Sequence, residues 1–407
     1  MSAAVPEASV AAVLLPAKAD VPEDEVSEIE RALDAPRGSP RLESLARPGM
    51  KTVVMVSDAT RPCPSWKLLP PLLKRLSKAG VSDSDITIVF GMGIHRPQTE
   101  AEKRSLVGEE VYRRIRCVES TQSGRYVYLG TTARGTPVEV CPEVADCDLL
   151  ICTGNIEYHY FAGYSGGAKA VLPGACGRRT VEANHSMQLM PGAELGSYDE
   201  NPVRQDIEEA GRMIGVDFIL NVVLNEAKHI VRAVAGDPLA AHAAGRREVD
   251  TLYGVPISGP TDIVLASAGG RPKDINLYQA QKALENAARA VNVGGTIVLV
   301  AECPEGLGEP VFEGYMTGYP LEEIIERIRS HFVLGGHKAA AIARILQKTH
   351  VHLVSRMDEG LVRACKMTPF SGVQEALEAA FRKHGSAASV TVMPYGGSAV
   401  PLLGRPG

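Results

Sequence analysis

The 407-residue chain contains no apolar run of the roughly 18 residues that a membrane-crossing helix needs, so a transmembrane protein is not expected. Basic charge is not in excess either. Lys and Arg number 43 against 48 Asp and Glu, a formal net charge of -5, which argues against a nucleic-acid surface. Aromatic residues make up 5% of the chain, with one tryptophan, too few for a platform on which bases stack. The eight cysteines, at 63, 117, 141, 147, 152, 176, 303 and 365, include no C-x-x-C pair. They therefore lack the spacing of a zinc ribbon or a dithiol redox motif, and free, mostly buried thiols are expected. The N-terminal stretch "MSAAVPEASVAAVLLPAKADVPEDEV" has no basic region ahead of its short apolar patch. A secretory leader is not expected, and the cytoplasm is the expected location. No internal repeat at a fixed period and no low-complexity segment is found.

What is present has the pattern of an α/β protein, with short apolar runs alternating with longer amphipathic ones. "KTVVMVSD" (51–58), "SDITIVFG" (84–91) and "CDLLICTG" (147–154) read as buried parallel strands, and "DFILNVVLN" as another. "SWKLLPPLLKRLSKAG" reads as a helix that Pro70 and Pro71 kink or delay. "TEAEKRSLVGEEVYRRI" reads as one helix capped by Thr99, and "NPVRQDIEEAGRMIG" as a further helix. "YGVPISGPT" (253–261) has the composition of a linker. Beyond it the alternation restarts, with strands in "DIVLASAGG", "GTIVLVAECP", "HVHLVSR" and "SVTVMPYGG". Helices are expected in "NLYQAQKALENAARAV", 321–332 and 338–348. The expected organisation is two α/β domains, each a mostly parallel sheet flanked by helices. Residues 1–254 would bind a cofactor, residues 255–407 would form the second domain, and the active site would lie in the cleft between them.

Three strands of the first half end in polar turns, "SDATRP", "GMGIHRPQTE" and "TGNIEYHYFAGYSGGAKA". Ligands of open parallel sheets bind outside the carboxyl ends of the strands, so Asp58, Arg61, His95, His159 and Lys169 are expected at one edge if these strands share a sheet. Each has a plainer reading. Asp58 and Arg61 could form a local ion pair, His95 could cap the Pro97 turn, and His159 and His185 could be half-buried histidines bonded to backbone. Lys169 could be a solvated surface lysine. Five such residues at strand ends make the joint plain reading weaker than any single one.

Small residues before Lys169 invite a phosphate-loop reading, but Ala168 replaces the second glycine of G-x-x-x-x-G-K-[ST] and Ala170 replaces the hydroxyl residue. In "GMGIHR", Gly91 and Gly93 fit the dinucleotide fingerprint while Arg96 stands at the third glycine. "SAGGRPKD" is glycine-rich without that spacing. A freely exchanging dinucleotide is therefore not supported.

Taken in order, "SDATRP", "GIHRPQT", "YHYFAGYSGGAKAVLPG", "NH", "NPVRQD" and "GGRPKDINLYQAQKAL" resemble the nickel-dependent lactate racemase family over nearly the whole chain. The resemblance implies a two-domain α/β enzyme that racemises or epimerises a 2-hydroxy acid. Its cofactor would be a nickel-pincer nucleotide, a nickel(II) pyridinium-3,5-bisthiocarboxylate mononucleotide joined covalently to Lys169. His185 would ligate nickel, for which imidazole is an apt donor, with His229 and His242 as the other histidines to examine. Asp58, Ala59, Thr60 and Arg61 would hold the cofactor, with Arg61 also near the substrate carboxylate. Tyr278, Gln279 and Lys282 would bind substrate from the second domain, and Gln279 and Lys282 share a helix face. His95 and His159 would be the acid/base pair for hydride abstraction and return through the cofactor, since imidazole titrates near neutral pH. Arg271 is a candidate for a second anionic group of the substrate. Transient partners would be the cofactor-synthesis and nickel-insertion enzymes. The N-terminal region is shorter than the family pattern, which implies a missing edge strand in the first domain.

Two other functions compete. Lys169 could form a Schiff base with pyridoxal phosphate, which leaves the three histidines without a task. A catalytically silent hydroxy-acid or nucleotide-binding homologue would not need an acid/base pair.

Overall fold

The computed structural model describes residues 3–17, 21–331, 333 and 335–403. The chain separates into two compact units, Ala19–Val249 and Met1–Lys18 together with Asp250–Gly407. The N-terminal segment thus belongs with the C-terminal half, which differs from a simple division at 254/255. The cause is backbone pairing. Val10–Val13 lies parallel to Val390–Met393, with Val10 opposite Val390 and Val13 opposite Val392. The N-terminus does supply an edge strand, but to the sheet of the second unit.

The first unit is built on a six-stranded sheet. Its order is Ile230–Gly236, Phe218–Leu224, Leu149–Asn155, Thr52–Ser57, Ile86–Gly91 and Arg116–Glu119. All neighbours are parallel except the first two, which form an antiparallel edge. Alternation along Thr52–Ser57 explains the two layers. Val54 and Val56 pack on one face with Leu68, Leu72, Ile88 and Phe90, while Val53 and Met55 pack on the other with Val89, Leu150 and Ile219. A strand buried on both faces reads as a continuous apolar run. From Thr52–Ser57 the chain steps outward to Arg116–Glu119 and then returns to the opposite side as Leu149–Asn155. The strand order therefore reverses beside Ser57, and the three polar turns gather at that switch point.

The second unit holds a six-stranded sheet, parallel throughout. Its order is Val10–Val13, Val390–Met393, Thr261–Ser267, Val291–Val300, His350–Val354 and Thr368–Phe370. The expected α/β architecture is therefore present twice.

Several local expectations are corrected. The helix Ser65–Lys78 starts ahead of Pro70 and Pro71 and runs through both. The helix expected after Thr99 is two, Glu100–Val107 and Glu109–Arg114, because Gly108 adopts a φ of 84° that interrupts the ladder. Thr99 does cap the first, in a reciprocal box with Glu102. The supposed linker contains the strand Gly254–Ile257, paired with Val400–Leu403. All eight cysteines are free, six of them buried and two half-buried. Among the described residues no helix is long and apolar enough to cross a membrane.

Candidate active site

Asp58 follows the last residue of strand Thr52–Ser57 and is 2% exposed. One carboxylate oxygen accepts from the Thr60 amide at 2.9 Å and the Thr60 hydroxyl at 2.6 Å. The other is bonded to His95 Nδ1. The local ion pair with Arg61 is therefore not formed by the Asp58 side chain. Burial alone would raise the Asp58 carboxyl, but the hydrogen bonds from His95 and Thr60 outweigh it and hold the group below the usual range. An ionised Asp58 can only accept, so neutral His95 carries its hydrogen on Nδ1 and its lone pair on Nε2. The preceding loop is tied down by Gly93 N donating to Gly174 O at 3.1 Å, and the Ser120 hydroxyl donates to the same carbonyl at 2.7 Å. His95 is thus fixed both to the Asp58 turn and, through its loop, to the end of the lysine segment.

Lys169 sits in the short 3-10 turn Gly167–Ala170 and is half-buried, not solvated. Burial, then the charges of Arg61 and Arg204, pull its amine down to about 7, opposed only in part by Glu157. A lysine near neutrality at physiological pH is a nucleophile. Beneath the turn, Asn221 Oδ1 accepts from Gly167 N at 2.8 Å.

His159 and His185 meet the same ring. Phe161 is edge-on to His159 at 4.6 Å and to His185 at 5.0 Å between centroids. His159 Nδ1 accepts from the Ala162 amide at 3.2 Å, which puts the hydrogen of the neutral ring on Nε2. His185 lies in the last turn of helix Arg178–Ser186, with Nδ1 3.1 Å from Asn184 Oδ1. The Asn184 amide is itself oriented, because Nδ2 donates to Asp206 at 2.8 Å and to Val203 O at 3.2 Å. Oδ1 therefore faces His185 as an acceptor, Nδ1 donates to it, and the lone pair lies on Nε2. That is the arrangement in which a metal-binding imidazole is usually held. The other two histidines have different surroundings. His229 Nδ1 is 3.0 Å from Glu25, and His242 Nε2 donates to Ser165 O at 2.8 Å.

In the second unit, Tyr278, Gln279 and Lys282 occupy the first two turns of helix Leu277–Ala288, which Asn276 caps through the Gln279 amide at 3.0 Å. Gln279 and Lys282 are exposed, as is Arg271. Lys338 donates to Tyr278 O at 2.8 Å and stands 3.7 Å from the centre of the Tyr278 ring. Burial and the Lys282 charge bring Lys338 down to about 8.

A lysine brought down to about 7 by burial and two histidines of opposite tautomer thus lie in the turns at one sheet edge, and the chain that carries them has known relatives. Residues 1–196 match the lactate racemase N-terminal domain, and residues 257–400 match the lactate racemase C-terminal domain. The chain is 37% identical over 382 residues to the lactate racemase of Lactiplantibacillus plantarum, covering 91% of this chain and 90% of that one. It is 33% identical over 396 residues to the lactate racemase of Thermoanaerobacterium thermosaccharolyticum, covering 94% and 91%. The solved lactate racemase apoprotein from the latter organism superposes with a TM-score of 0.87 at 31% identity, over 98% of this chain and 96% of that one. A Thermotoga maritima protein at 18% identity and a TM-score of 0.65 shares the fold.

The chain belongs to the lactate racemase family. In this lactate racemase family member the side chains that orient the singled-out residues are ones the sequence reading passed over. Asn184 and Asp206 hold His185, Phe161 separates two histidines, and Gln98 Oε1 accepts from Ala59 N at 2.8 Å. Arg204 and Asp206 lie in "NPVRQD", read from the sequence only as the start of a helix, and both are 0% exposed.

Proposed function

We propose that this chain is an isomerase that inverts the carbinol carbon of a 2-hydroxy acid, with His95 and His159 as acid/base groups and Lys169 as the anchor of a nickel-pincer nucleotide. The observation that carries the reading is the buried Asp58 carboxylate on His95 Nδ1, which leaves Nε2 as a proton acceptor.

The residues present fit the cofactor that the family implies. Asn221 is fully buried below the lysine turn, and its Nδ2 has no partner among the described residues. Gln98 Nε2, beside the Asp58–Arg61 turn, is in the same position. Orphaned buried donors are costly and suit acceptor groups of a bound molecule. Among the described residues no three His, Cys, Asp or Glu side chains converge where a metal could sit. Nickel at His185 would thus need donors from outside the chain, such as the sulfurs of the pincer. When bound, the cofactor supplies a reversible hydride acceptor, which avoids ionising a very weak carbon acid.

The chain's own groups then do the following. His95 Nε2 takes the hydroxyl proton of one enantiomer while the carboxylate of Asp58 stabilises the imidazolium that forms. His159, as the imidazolium, returns a proton from Nε2 to the substrate oxygen and is left neutral with its hydrogen on Nδ1, the form in which it serves as base for the other enantiomer. Both forms give up the Ala162 amide. Arg61 holds the substrate carboxylate, with Tyr278, Gln279 and Lys282 as further contacts. Asp58 to Arg61 line the cofactor as well, and Lys169 carries it.

A stereochemical assay on a panel of 2-hydroxy acids tests the reading, using protein produced together with the cofactor-synthesis enzymes. Inversion of at least one acid is expected, together with a mass adduct on the peptide containing "SGGAKAVLPG". An adduct at Lys169 with no inversion of any acid would replace this function with a silent binding protein.

A further inference from the structure

We propose that Arg204 is the positioning residue for Lys169, fixing the turn that carries it and setting the reactivity of its amine. The proposal rests on the reading of Lys169 as the cofactor anchor.

Arg204 is 0% exposed, and its guanidinium is fully engaged. Nε donates to Glu208 at 2.8 Å, and Nη2 lies 2.5 Å from the same carboxylate oxygen. Nη1 donates to Tyr164 O at 3.1 Å and Gly166 O at 3.3 Å, the two carbonyls that flank Ser165 just ahead of the lysine turn. The planar fork thus joins a carboxylate on its own helix to the backbone of the loop. His242 closes the arrangement, with Nε2 donating to Ser165 O at 2.8 Å and Nδ1 3.4 Å from Arg204 Nη2.

The helix that bears Arg204, Pro202–Ile214, grips the turn at a second place. A Cβ on Gly211 would lie 2.5 Å from the Ala168 Cβ, so the helix approaches the residue next to Lys169 as closely as glycine permits. Gly167 has a φ of 60°, and a Cβ there would lie 2.8 Å from Arg204 Nη2. Small residues around Lys169 therefore make room for Arg204 as much as for any ligand. At its start the same helix is capped by Asn201, whose Oδ1 accepts from Arg204 N at 3.0 Å and whose Nδ2 donates to Phe161 O at 2.8 Å. One helix so connects the lysine turn to the ring between His159 and His185.

Geometry and charge act in the same direction. The groups facing Lys169 are Arg61, Arg204 and Glu157, and the two cations disfavour its ammonium form. Arg61 is exposed, so solvent and salt screen it, whereas Arg204 is buried from both and is offset by Glu208. Nothing in a purely structural clamp requires the amine to respond to it.

The test uses the full-length chain made without cofactor and labelled with acetic anhydride over a pH series. Acetylation of Lys169 is read on the peptide containing "SGGAKAVLPG". Wild-type labelling should have a midpoint at about 7. Arg204→Gln keeps donors for the carbonyls, and Arg204→Met with Glu208→Gln removes both buried charges together, leaving neither unpaired. Arg204→Gln should shift the midpoint upward and label roughly three- to tenfold more slowly at pH 7, and the folded charge-free variant should shift it the same way by less. Arg204→Lys should restore the midpoint while still loading less cofactor, since a single ammonium cannot hold both carbonyls and Glu208. A folded charge-free variant with the wild-type midpoint overturns the proposal. The anchor reading fails separately, if loaded wild-type protein carries its adduct on another residue.

Discussion

Asp58 and Arg204 of the first unit are 2% and 0% exposed, and each is held by several hydrogen bonds. Gln279 and Lys282 of the second unit are exposed, and two ionisable groups near them are strongly shifted by burial. Burial pushes the Glu285 carboxyl up to about 7 and, with the Lys282 charge, brings Lys338 down to about 8. The contrast separates two tasks. Proton transfer needs groups held within a fraction of an ångström, and a low-dielectric setting with several hydrogen bonds to each of these groups provides that. Recognising a small acid that must enter and leave is compatible with exposed, adaptable side chains. On this comparison, changes in the first unit should act on turnover and cofactor retention, and changes in the second on substrate affinity.

The largest effect should come from Lys169→Ala. Loaded protein is expected to lose the covalent adduct by intact-mass analysis and to lose all measurable inversion. Full activity in this variant would remove the distinction between the units at its foundation. Next come the acid/base groups. His95→Ala and His159→Ala should each lower kcat/KM by roughly 10²–10⁴ while adduct and nickel content stay near wild type. Because the equilibrium constant between enantiomers is one, each variant must lose the same factor in both directions. Asp58→Asn should fall in the same range, because an amide whose oxygen still accepts from Thr60 turns Nδ2 to His95 Nδ1 and forces the ring hydrogen onto Nε2. A loss confined to KM in the His95 variant would move that residue into the same class as Lys282.

The comparison also explains what could be read from the letters. Strand cores such as "TVVMVS" and "FILNVVL" are apolar throughout and identify themselves. The four-residue strand "VAAV" carries no local sign of which sheet it joins. In the site, the singled-out residues were those with chemical functions at strand ends. The pairing of Asp58 with His95 was not legible, since it joins two turns distant in sequence, and the nearby Arg61 was the obvious local partner. Arg204, Glu208, Asn184 and Asp206 sit among polar neighbours on amphipathic helices, where letters alone do not separate a buried charge from a solvated one. What places them inside is the partner each finds from another element, a tertiary property.

Lys282→Ala tests the other side of the comparison. A charge-assisted hydrogen bond to the substrate carboxylate would be lost, raising KM by roughly tenfold. Turnover should fall less, because the proton-transfer groups are untouched. Amides of the same hydroxy acids should be poor substrates of the wild-type chain and should discriminate less between it and the variant. If Lys282→Ala lowers kcat as much as His95→Ala does, the second unit takes part in the chemical step and the division of tasks is wrong.

The smallest effect concerns the stability of the second unit's charge cluster. Glu285 shares a helix with Lys282 and faces Lys338, Lys282 and Arg344, with a hydrogen bond to Gln281. Burial outweighs these cations and raises its carboxyl from 4.5 to about 7. The folded chain therefore binds this proton more tightly than the unfolded chain does. Stability from this group is fully present below the unfolded value and is lost as pH rises from about 4.5 through about 7, levelling off above. Buried histidines contribute with the opposite sign in part of this range, because His337 is brought from 6.5 down to about 4. The informative quantity is accordingly the difference between wild type and Glu285→Gln, in which the histidines cancel. That difference should favour the variant increasingly from pH 5 to pH 7 and then stay constant. After allowance for solvent screening it should reach about 1 kcal/mol, or roughly 2–4 °C in Tm. A difference that does not change with pH would mean that Glu285 is already ionised at pH 5. Glu285 of the second unit would then be an ionised carboxylate as Asp58 of the first is, and the contrast between the two would rest on exposure alone.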